Sequence, residues 1–262
     1  MESFGILGFP ARHSLSPWLH GMFYRQTGFE GVYNQFEVPP ESVGGVVGAL
    51  RTLGIRGINV TMPYKQAIIG QLDALSPEAD RIGAVNTVDM GPDGAATGYN
   101  TDYYGFLGQL AYADVQVGGR RFVVCGMSGA GKAVYNALVD SGAAEVLVAS
   151  TSPQKGVPYE SLRTVTGYDT IVNCTPLGMR PNTEASVVDA QVLRRFSTAV
   201  DIVYNPVDTL FLRTARDLGL KTVGGLPMLV FQGIKSFQIW TGREVPGEAA
   251  DSIINKLQQR FL

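Results

Sequence analysis

Small polar side chains recur in four short clusters within the first 102 residues of the chain. The clusters are Ser14-Leu15-Ser16-Pro17, Asn59-Val60-Thr61-Met62-Pro63-Tyr64-Lys65, Gly83-Ala84-Val85-Asn86-Thr87 and Asn100-Thr101-Asp102. Hydroxyls and amides both donate and accept hydrogen bonds, which suits a ligand rich in hydroxyl groups. A lysine with an aspartate can move a proton between a carbonyl and an alcohol oxygen, so Lys65 and Asp102 are candidate acid–base residues. Together the clusters predict a pocket for a small polyhydroxylated molecule.

Each cluster taken alone also fits an ordinary structural role. Ser16 followed by Pro17 is a good helix start. Asp102 could cap a helix that begins at Tyr103, and Lys65 could be a solvated surface charge. Only their joint presence favours a binding site.

A glycine-rich turn, Gly126-Met127-Ser128-Gly129-Ala130-Gly131, lies between a predicted strand and a predicted helix. That context is required of the dinucleotide fingerprint G-x-G-x-x-G, whose second glycine lets the backbone approach a pyrophosphate. Gly126 and Gly131 fill the first and third glycine positions, but Ser128 stands at the second. The pyrophosphate could still lie at the helix N-terminus. On this motif alone, nucleotide binding and a plain strand–turn–helix corner both stay open.

Ser150-Thr151-Ser152 follows the next predicted strand, where a dinucleotide-binding fold reads the adenosine ribose. An acid at this place favours NAD and an arginine favours NADP, and neither is present. The three hydroxyls with Lys155 could hold a 2′-phosphate, or the segment could be a plain polar turn. Residues 153–168, which lead to the following strand, contain two prolines and two glycines and leave little room for a full helix.

Short β-branched runs alternate with longer helical patterns along the 262 residues, which predicts an α/β fold of two domains with a boundary near residues 102–120. Lys and Arg number 21 against 23 Asp and Glu, so no basic footprint for nucleic acid or an anionic membrane exists. Two cysteines and two histidines supply neither a disulfide framework nor a structural zinc site. Without a signal-peptide or membrane-span pattern, we expect a cytoplasmic protein with no metal.

The four polar clusters, in this order and followed by the glycine-rich turn, resemble the shikimate dehydrogenase family. The segments Asp201-Ile202-Val203-Tyr204-Asn205-Pro206 and Gly224-Gly225-Leu226-Pro227-Met228-Leu229, followed by Gln232, also fit the family pattern. The resemblance implies a substrate domain over residues 1–102, completed by residues 226–262 with the last helix returning to it. Residues 103–225 would form a Rossmann-like, doubly wound NADP-binding domain.

The resemblance also implies the reversible NADP-dependent reduction of 3-dehydroshikimate to shikimate, in chorismate and aromatic amino acid biosynthesis. Lys65 and Asp102 would be the catalytic pair. The substrate carboxylate would be bound by Ser14, Ser16 and Tyr204, and the ring hydroxyls by Asn59, Thr61, Asn86 and Gln232. The cofactor would be lined by Gly126, Ser128, Gly129, Ala130, Ser150, Thr151, Ser152, Val203, Gly225 and Met228.

Two departures from the family pattern fall on the cofactor side. The family has glycine in place of Ser128, and it has Asn-Arg-Thr, whose arginine grips the 2′-phosphate, in place of Ser150-Thr151-Ser152. NAD therefore stays open beside NADP. Two alternatives follow: a quinate/shikimate dehydrogenase with relaxed cofactor use, and a non-catalytic shikimate-binding homologue whose cofactor site has decayed. We expect a small-molecule substrate and either a monomer or a homodimer.

Overall fold

Contacts within residues 1–261, the part of the chain that the computed structural model describes, divide the protein into two units. The first unit comprises Met1–Asp102 and Gln232–Ile253, and the second comprises Tyr103–Phe231 with residues 254–261. The prediction assigned all of residues 226–262 to the first domain, whereas Met228 packs into the core of the second unit. The predicted final helix ends at Leu262, which lies outside the described residues.

The first unit contains a six-stranded mixed sheet with the strand order β2-β1-β3-β5-β6-β4. Its strands are β1 (Glu2–Gly8), β2 (Gly31–Glu37), β3 (Gly57–Val60), β4 (Ala74–Leu75), β5 (Thr87–Met90) and β6 (Ala96–Tyr99). β1 pairs in parallel with β2 and β3, and β5 runs antiparallel to β3 and β6. Its helices are α1 (Ser16–Thr27), α2 (Val46–Leu53) and α3 (Pro77–Ile82), and α4 (Thr101–Tyr112) begins here.

Register and packing in the first sheet fix where its polar side chains lie. The pairing of β3 with β5 sets Asn59 opposite Thr87. The second half of α8 (Leu226–Thr241) is anchored to this sheet, because Trp240 stacks on Phe4 with ring centroids 5.0 Å apart. The indole Nε1–H of Trp240 also donates to the carbonyl of Val88 at 2.9 Å. This face of α8 is thereby fixed against β1 and β5.

The second unit contains a five-stranded parallel sheet with the strand order β11-β10-β9-β7-β8. Its strands are β7 (Arg121–Cys125), β8 (Glu145–Ala149), β9 (Thr170–Asn173), β10 (Thr198–Asp201) and β11 (Lys221–Val223). Its helices are α5 (Gly129–Asp140), α6 (Ala190–Leu193) and α7 (Leu210–Asp217), and α9 (Gly247–Arg260) ends here. The central strands β7, β9 and β10 are buried on both faces, as parallel strands usually are.

Parallel strands end at one common edge of their sheet, so the segments that follow them lie close together. Gly126 follows β7, Ser150 follows β8, and Thr175 lies just beyond β9. The predicted cofactor residues therefore gather at one edge of the second sheet. Across residues 1–261, no helix has both the length and the apolar composition needed to cross a membrane.

Candidate active site

Lys65 and Asp102, the predicted acid–base pair, contact each other directly. Lys65 lies beyond β3, where the N–H of Val85 donates to its carbonyl at 2.7 Å, and Asp102 lies in the first turn of α4. The Nζ of Lys65 is 2.6 Å from Oδ2 of Asp102. The two side chains are 22% and 11% exposed, so the pair is shielded from bulk water but still accessible. A charge-assisted bond in this setting holds a proton donor and its counter-ion in a fixed geometry.

Asn86 fixes the orientation of the Asp102 carboxylate. Its Nδ2 donates to Oδ1 of Asp102 at 2.8 Å, while Lys65 occupies the other oxygen. The Oδ1 of Asn86 accepts from the backbone N–H of Thr101 at 2.7 Å, which ties the amide to the start of α4. Both carboxylate oxygens therefore have a defined partner, and rotation of the carboxylate would break at least one bond.

A buried hydroxyl network lies behind this pair and joins three distant parts of the chain. The Oγ of Ser236, on α8, is 2.8 Å from Oγ1 of Thr87 and 3.2 Å from Oγ1 of Thr101. The Nδ2 of Asn59 donates to Ser236 Oγ at 2.9 Å and to Thr87 Oγ1 at 3.0 Å. Sequence reasoning did not assign Ser236, Thr87 or Thr101 a role. Two of them lie inside the polar clusters noted above, but nothing local to Ser236 marks it.

Asn59 uses its polar atoms within this network. Its Oδ1 accepts from the hydroxyl of Tyr33 at 2.6 Å, and its Nδ2 faces Thr87, Ser236 and the carbonyl of Asn86. Burial holds the pKa of the Tyr33 hydroxyl well above its usual range, so this group stays a donor. The structure places Asn59 in the same unit as Lys65 and Asp102 and bonds it to the carbonyl of Asn86, and its contact with a ring hydroxyl stays a prediction.

The two predicted carboxylate-binding serines lie together at the start of α1. The hydroxyls of Ser14 and Ser16 are 3.1 Å apart, and the N–H of Ser16 donates to Ser14 Oγ at 3.2 Å. Glu37 holds the preceding loop, because its Oε1 accepts from the N–H groups of Ala11 and Arg12, each at 2.8 Å. Its hydrogen bond with the Arg12 side chain, together with these backbone bonds, lowers the pKa of Glu37 to about 2. The loop anchor is therefore ionised at neutral pH.

The remaining predicted substrate residues divide between the units. Thr61 is half-buried in the first unit, and its N–H donates to the carbonyl of Leu7 at 2.9 Å. Gln232 belongs to the same unit, one helical turn before Ser236 on α8. Tyr204 lies in the second unit, beyond β10, where burial raises the pKa of its hydroxyl.

His20 does not behave as a metal ligand. Its ring is fully buried and stacks on Tyr33 with centroids 4.3 Å apart. Burial lowers the pKa of His20 to about 3, so the imidazole is neutral. Within the described part of the chain, no three His, Cys, Asp or Glu side chains are grouped as a metal site would need.

The glycine-rich turn has the close backbone packing of a nucleotide-binding turn. Gly126 has φ +95°, and a Cβ at Gly131 would lie 2.1 Å from the carbonyl oxygen of Gly126, so neither position tolerates a side chain. Ser128 has an ordinary φ of −74° at the N-cap of α5, and its side chain makes no capping hydrogen bond. Its Cβ is accommodated in the backbone region that L-residues favour. The first-turn N–H groups, from Gly129 and Ala130 onward, have no intrahelical acceptor and suit an anion.

A cavity of about 460 Å³ opens beside this turn. It is lined by Gly126, Met127, Ser128, Ser150, Thr151, Ser152, Lys155, Tyr159, Cys174, Thr175, Pro176 and Leu177. These residues offer hydroxyls and one cation, with no carboxylate among them. Bare backbone, a helix N-terminus, hydroxyls and a lysine together fit a phosphate-bearing ligand such as NADP.

The segment after Ser150 folds back on the sheet edge in place of a crossover α-helix. Val157 forms a parallel bridge with Ala149, and the N–H of Ser150 donates to the carbonyl of Val157 at 2.9 Å. The helix that precedes β9 is a short 3-10 helix at Tyr159–Arg163, in keeping with the predicted short crossover. This fold-back places Lys155 on the rim of the cavity.

Of the three predicted cofactor residues that follow β10 and β11, namely Val203, Gly225 and Met228, two are in direct contact. A Cβ at Gly225 would lie 2.6 Å from the carbonyl oxygen of Val203, so the two segments approach as closely as backbone allows. Met228 is 5% exposed and packs in the core with Val200 and Val223. The structure therefore groups Val203 with Gly225, and it places most of the Met228 side chain in the core.

Comparison with known families matches two parts of this chain. Residues 6–88 match the family model described as the shikimate dehydrogenase substrate binding domain. Residues 225–250 match the model of the shikimate 5'-dehydrogenase C-terminal domain. A curated relative from Clostridium perfringens strain 13, shikimate dehydrogenase (NADP(+)), is 41% identical over 272 residues and covers 100% of both chains.

Solved structures resemble the whole fold. Shikimate dehydrogenase 1 from Peptoclostridium difficile superposes with a TM-score of 0.90 at 40% identity, covering 100% of both chains. Shikimate 5-dehydrogenase from Thermus thermophilus, solved with NADP(H) and shikimate, superposes with a TM-score of 0.88 at 38% identity, covering 98% of this chain and 100% of that one. The predicted two-domain α/β fold class is confirmed by these likenesses.

Proposed function

The chain belongs to the shikimate dehydrogenase family, and from this premise we propose that it catalyses the reversible NADP-dependent reduction of 3-dehydroshikimate to shikimate. This reaction belongs to chorismate and aromatic amino acid biosynthesis. The observation that carries the proposal is the 2.6 Å contact of Lys65 with Asp102, fixed from behind by Asn86. It is supported by the relatives named shikimate dehydrogenase (NADP(+)) and by the NADP(H) and shikimate complex of the Thermus enzyme.

In this proposal Lys65 carries the proton of the reaction. During reduction its ammonium group donates a proton from Nζ to the carbonyl oxygen of the substrate, and during oxidation neutral Nζ accepts the hydroxyl proton. Asp102 holds the ammonium in place and offsets its charge. NADP, when bound, supplies or accepts the hydride. A positioned acid–base group of this kind contributes about 10²- to 10⁴-fold to the rate.

The substrate is held mainly by the first unit in this proposal. Ser14 and Ser16 bind the carboxylate with their adjacent hydroxyls, and Tyr204 is proposed as a further donor. Ring hydroxyls are bound by Asn59, Thr61, Asn86 and Gln232. Asn86 supports this assignment, because its Nδ2 carries two N–H groups and the bond to Asp102 uses one of them.

We propose NADP as the preferred cofactor. The 2′-phosphate would lie among Ser150, Thr151 and Ser152, with Lys155 as its cation, and the pyrophosphate at the N-terminus of α5. The cavity lining holds no carboxylate for the free 2′-hydroxyl of NAD. Because the arginine of the family pattern is missing, this protein should prefer NADP over NAD less strongly than an enzyme whose arginine forms a fork with the 2′-phosphate.

Two other functions stay as alternatives. A quinate/shikimate dehydrogenase with relaxed cofactor use is favoured by the missing arginine, and kcat/KM for both substrates with both cofactors distinguishes it. A non-catalytic shikimate-binding homologue is favoured by Ser128 and Thr151. It is disfavoured by the intact pair of Lys65 and Asp102.

The direct test of the catalytic assignment is Lys65→Ala. With purified enzyme we expect kcat for shikimate oxidation with NADP to fall about 100-fold or more, because the proton relay is lost. The Kd for shikimate, measured by calorimetry, should change much less. Lys256→Ala, an exposed lysine on α9, is the matched control. Wild-type turnover in Lys65→Ala would show that the assigned role is wrong.

We also propose a cytoplasmic enzyme that works as a monomer or homodimer on a small-molecule substrate, without a nucleic-acid or membrane partner. The near-balanced charge of the chain supports the absence of a nucleic-acid or membrane partner. Light scattering on a size-exclusion column gives the oligomeric state.

A further inference from the structure

Asp201, the last residue of β10, has a fully buried carboxylate with no role in the proposal above. Its Oδ1 accepts from Nδ2 of Asn173 at 3.0 Å and from the N–H of Val203 at 2.9 Å. Its Oδ2 accepts from the hydroxyl of Thr209 at 2.6 Å. All three donors are neutral groups. The carboxylate is thus a hydrogen-bond acceptor for three separate positions.

These bonds tie together the segments that carry the proposed cofactor residues. Asn173 also accepts, through Oδ1, from the N–H and hydroxyl of Thr175 at 3.0 and 2.7 Å, and Thr175 lines the cavity. The Nε2 of Gln109, on α4, donates to the carbonyls of Asp201 and Gly224, each at 2.9 Å. The cavity wall at Thr175 is therefore joined to the turn at Val203 through Asn173 and the Asp201 carboxylate. Gln109 separately ties the backbone of Asp201 to that of Gly224.

We propose that Asp201 is the positioning residue of the cofactor site, whose carboxylate sets the turn at Val203 and Tyr204 relative to the cavity wall at Thr175. The inference rests on the proposed NADP-dependent function and adds a residue that acts through others. Asp201 itself touches neither substrate nor cofactor in this assignment. Loss of the carboxylate should loosen the Val203 turn and the Thr175 wall together, because its Oδ1 accepts from both Val203 and Asn173, and Asn173 in turn holds Thr175.

The chemistry of the site supports a positioning role for the Asp201 carboxylate. Burial raises the pKa of Asp201 to about 6, while its hydrogen bonds with Thr209, Val203 and Asn173 lower it. A buried ionised group costs stability unless its bonds compensate. An asparagine would keep Oδ1 for Asn173 and Val203 and would offer Nδ2 to the oxygen of Thr209. An alanine would leave the Val203 N–H and the Thr209 hydroxyl without this acceptor, and Nδ2 of Asn173 with only the carbonyl of Leu177.

The test compares Asp201→Ala with Asp201→Asn in the full-length protein. We expect Asp201→Ala to raise the Kd for NADPH, measured by fluorescence titration, at least tenfold. The Kd for shikimate should change by less than threefold, since most proposed shikimate contacts lie in the first unit. Asp201→Asn should bind NADPH within threefold of wild type. Asp189→Ala is the matched control, because it removes a carboxylate that only caps α6 and pairs with Arg163.

A second pair of variants serves if Asp201→Ala does not fold. Thr209→Val removes one bond to the carboxylate, and Thr209→Ser keeps it. We expect at least threefold weaker NADPH binding in Thr209→Val and recovery in Thr209→Ser. If Asp201→Ala folds and binds NADPH with wild-type affinity, or if Thr209→Val does so, the inference about Asp201 is overturned and the proposed function is not. Wild-type protein that binds neither NADPH nor NADH would overturn the proposed function and the inference with it.

Discussion

The surroundings of Lys65 and the surroundings of the glycine-rich turn are organised by different kinds of contact. Around Lys65, side chains hold side chains, in a chain of bonds of 2.6 to 2.8 Å that runs from Lys65 through Asp102 to Asn86. Around the turn, backbone packs on backbone, and Gly131 approaches the carbonyl of Gly126 more closely than any side chain would allow. The first region depends on the identity of each polar group, and the second on the absence of side chains.

This difference explains why departures from the family pattern are found on the cofactor side. Ser128 keeps an ordinary backbone conformation and its side chain makes no capping bond to the helix, so the packing of Gly126 with Gly131 is undisturbed. A substitution at Asn86 or Asp102 would instead leave a buried partner without its bond, which costs about 1–3 kcal/mol. We therefore expect substitutions around Lys65 to cause large losses of activity, and substitutions around the glycine-rich turn to cause graded changes in cofactor affinity.

The largest effect is expected for Asn86→Ala. Asp102 loses the donor to its Oδ1, and the N–H of Thr101 loses its acceptor, so the proposed catalytic carboxylate is free to rotate. We expect kcat to fall about 100-fold in steady-state assays, the cost of a misplaced catalytic group. Asn255→Ala, an exposed residue of α9, is the control. A kcat within twofold of wild type would contradict the expectation that the region around Lys65 depends on the identity of each polar group.

The second effect concerns stability and pH at Asp201. Its pKa is raised to about 6 in the folded protein, above the ordinary 3.8, so the folded state retains a proton that the unfolded chain has released between those values. Stability from this group is therefore full below about pH 4 and is lost as the pH rises through 6. Asp201→Asn removes that dependence.

We expect the free energy of unfolding of Asp201→Asn, relative to wild type, to increase by about 2 kcal/mol between pH 4 and pH 7. Urea denaturation at several pH values measures the difference. A constant difference across this range would show that Asp201 has an ordinary pKa in the folded protein.

The third effect tests backbone packing on the cofactor side. Gly131→Ala places a Cβ 2.1 Å from the carbonyl oxygen of Gly126, so the turn must move. We expect the Kd for NADPH to rise at least about tenfold, which is 1.4 kcal/mol, while shikimate binding is retained. Gly48→Ala is the control, because an added Cβ there meets nothing within 4 Å. Equal NADPH affinity in both variants would contradict the assignment of the turn.

The fourth effect is a gain in affinity for NADPH. Thr151→Arg restores the guanidinium of the family pattern beside the cavity, where it can form a charge-assisted fork with a 2′-phosphate. We expect the Kd for NADPH to fall about tenfold with little change for NADH. Thr151→Gln, of similar length without charge, is the control. An equal gain for both cofactors would show that the 2′-phosphate does not lie near Thr151.

The smallest effect is expected for Ser128→Gly. Because Ser128 already adopts a conformation that suits the helix start, removal of its side chain should change the Kd for NADPH by no more than about threefold, or under 1 kcal/mol. Calorimetric titration measures it. A gain of a hundredfold would mean that the serine blocks the pyrophosphate and that the cofactor site is impaired.

The sequence predicted the parts of the site whose signals are local. Lys65, Asn86 and Asp102 each follow or begin a regular element, and strands that pair in register bring such ends together. Ser236 could not be found this way, because its bond to Asn59 spans 177 residues and depends on how α8 packs on the sheet. The fold-back of Val157 on Ala149 has no local signal either, since composition shows a short crossover but not its path.

The most direct test of the central claim is reduction of NADP and of NAD by shikimate with the purified protein, each followed as kcat/KM under the same conditions. We expect the wild-type protein, in which the Lys65–Asp102 pair and the cofactor cavity are intact, to oxidise shikimate. We expect a higher kcat/KM for NADP than for NAD. Shikimate binding without reduction of either cofactor would contradict it and would indicate the non-catalytic homologue.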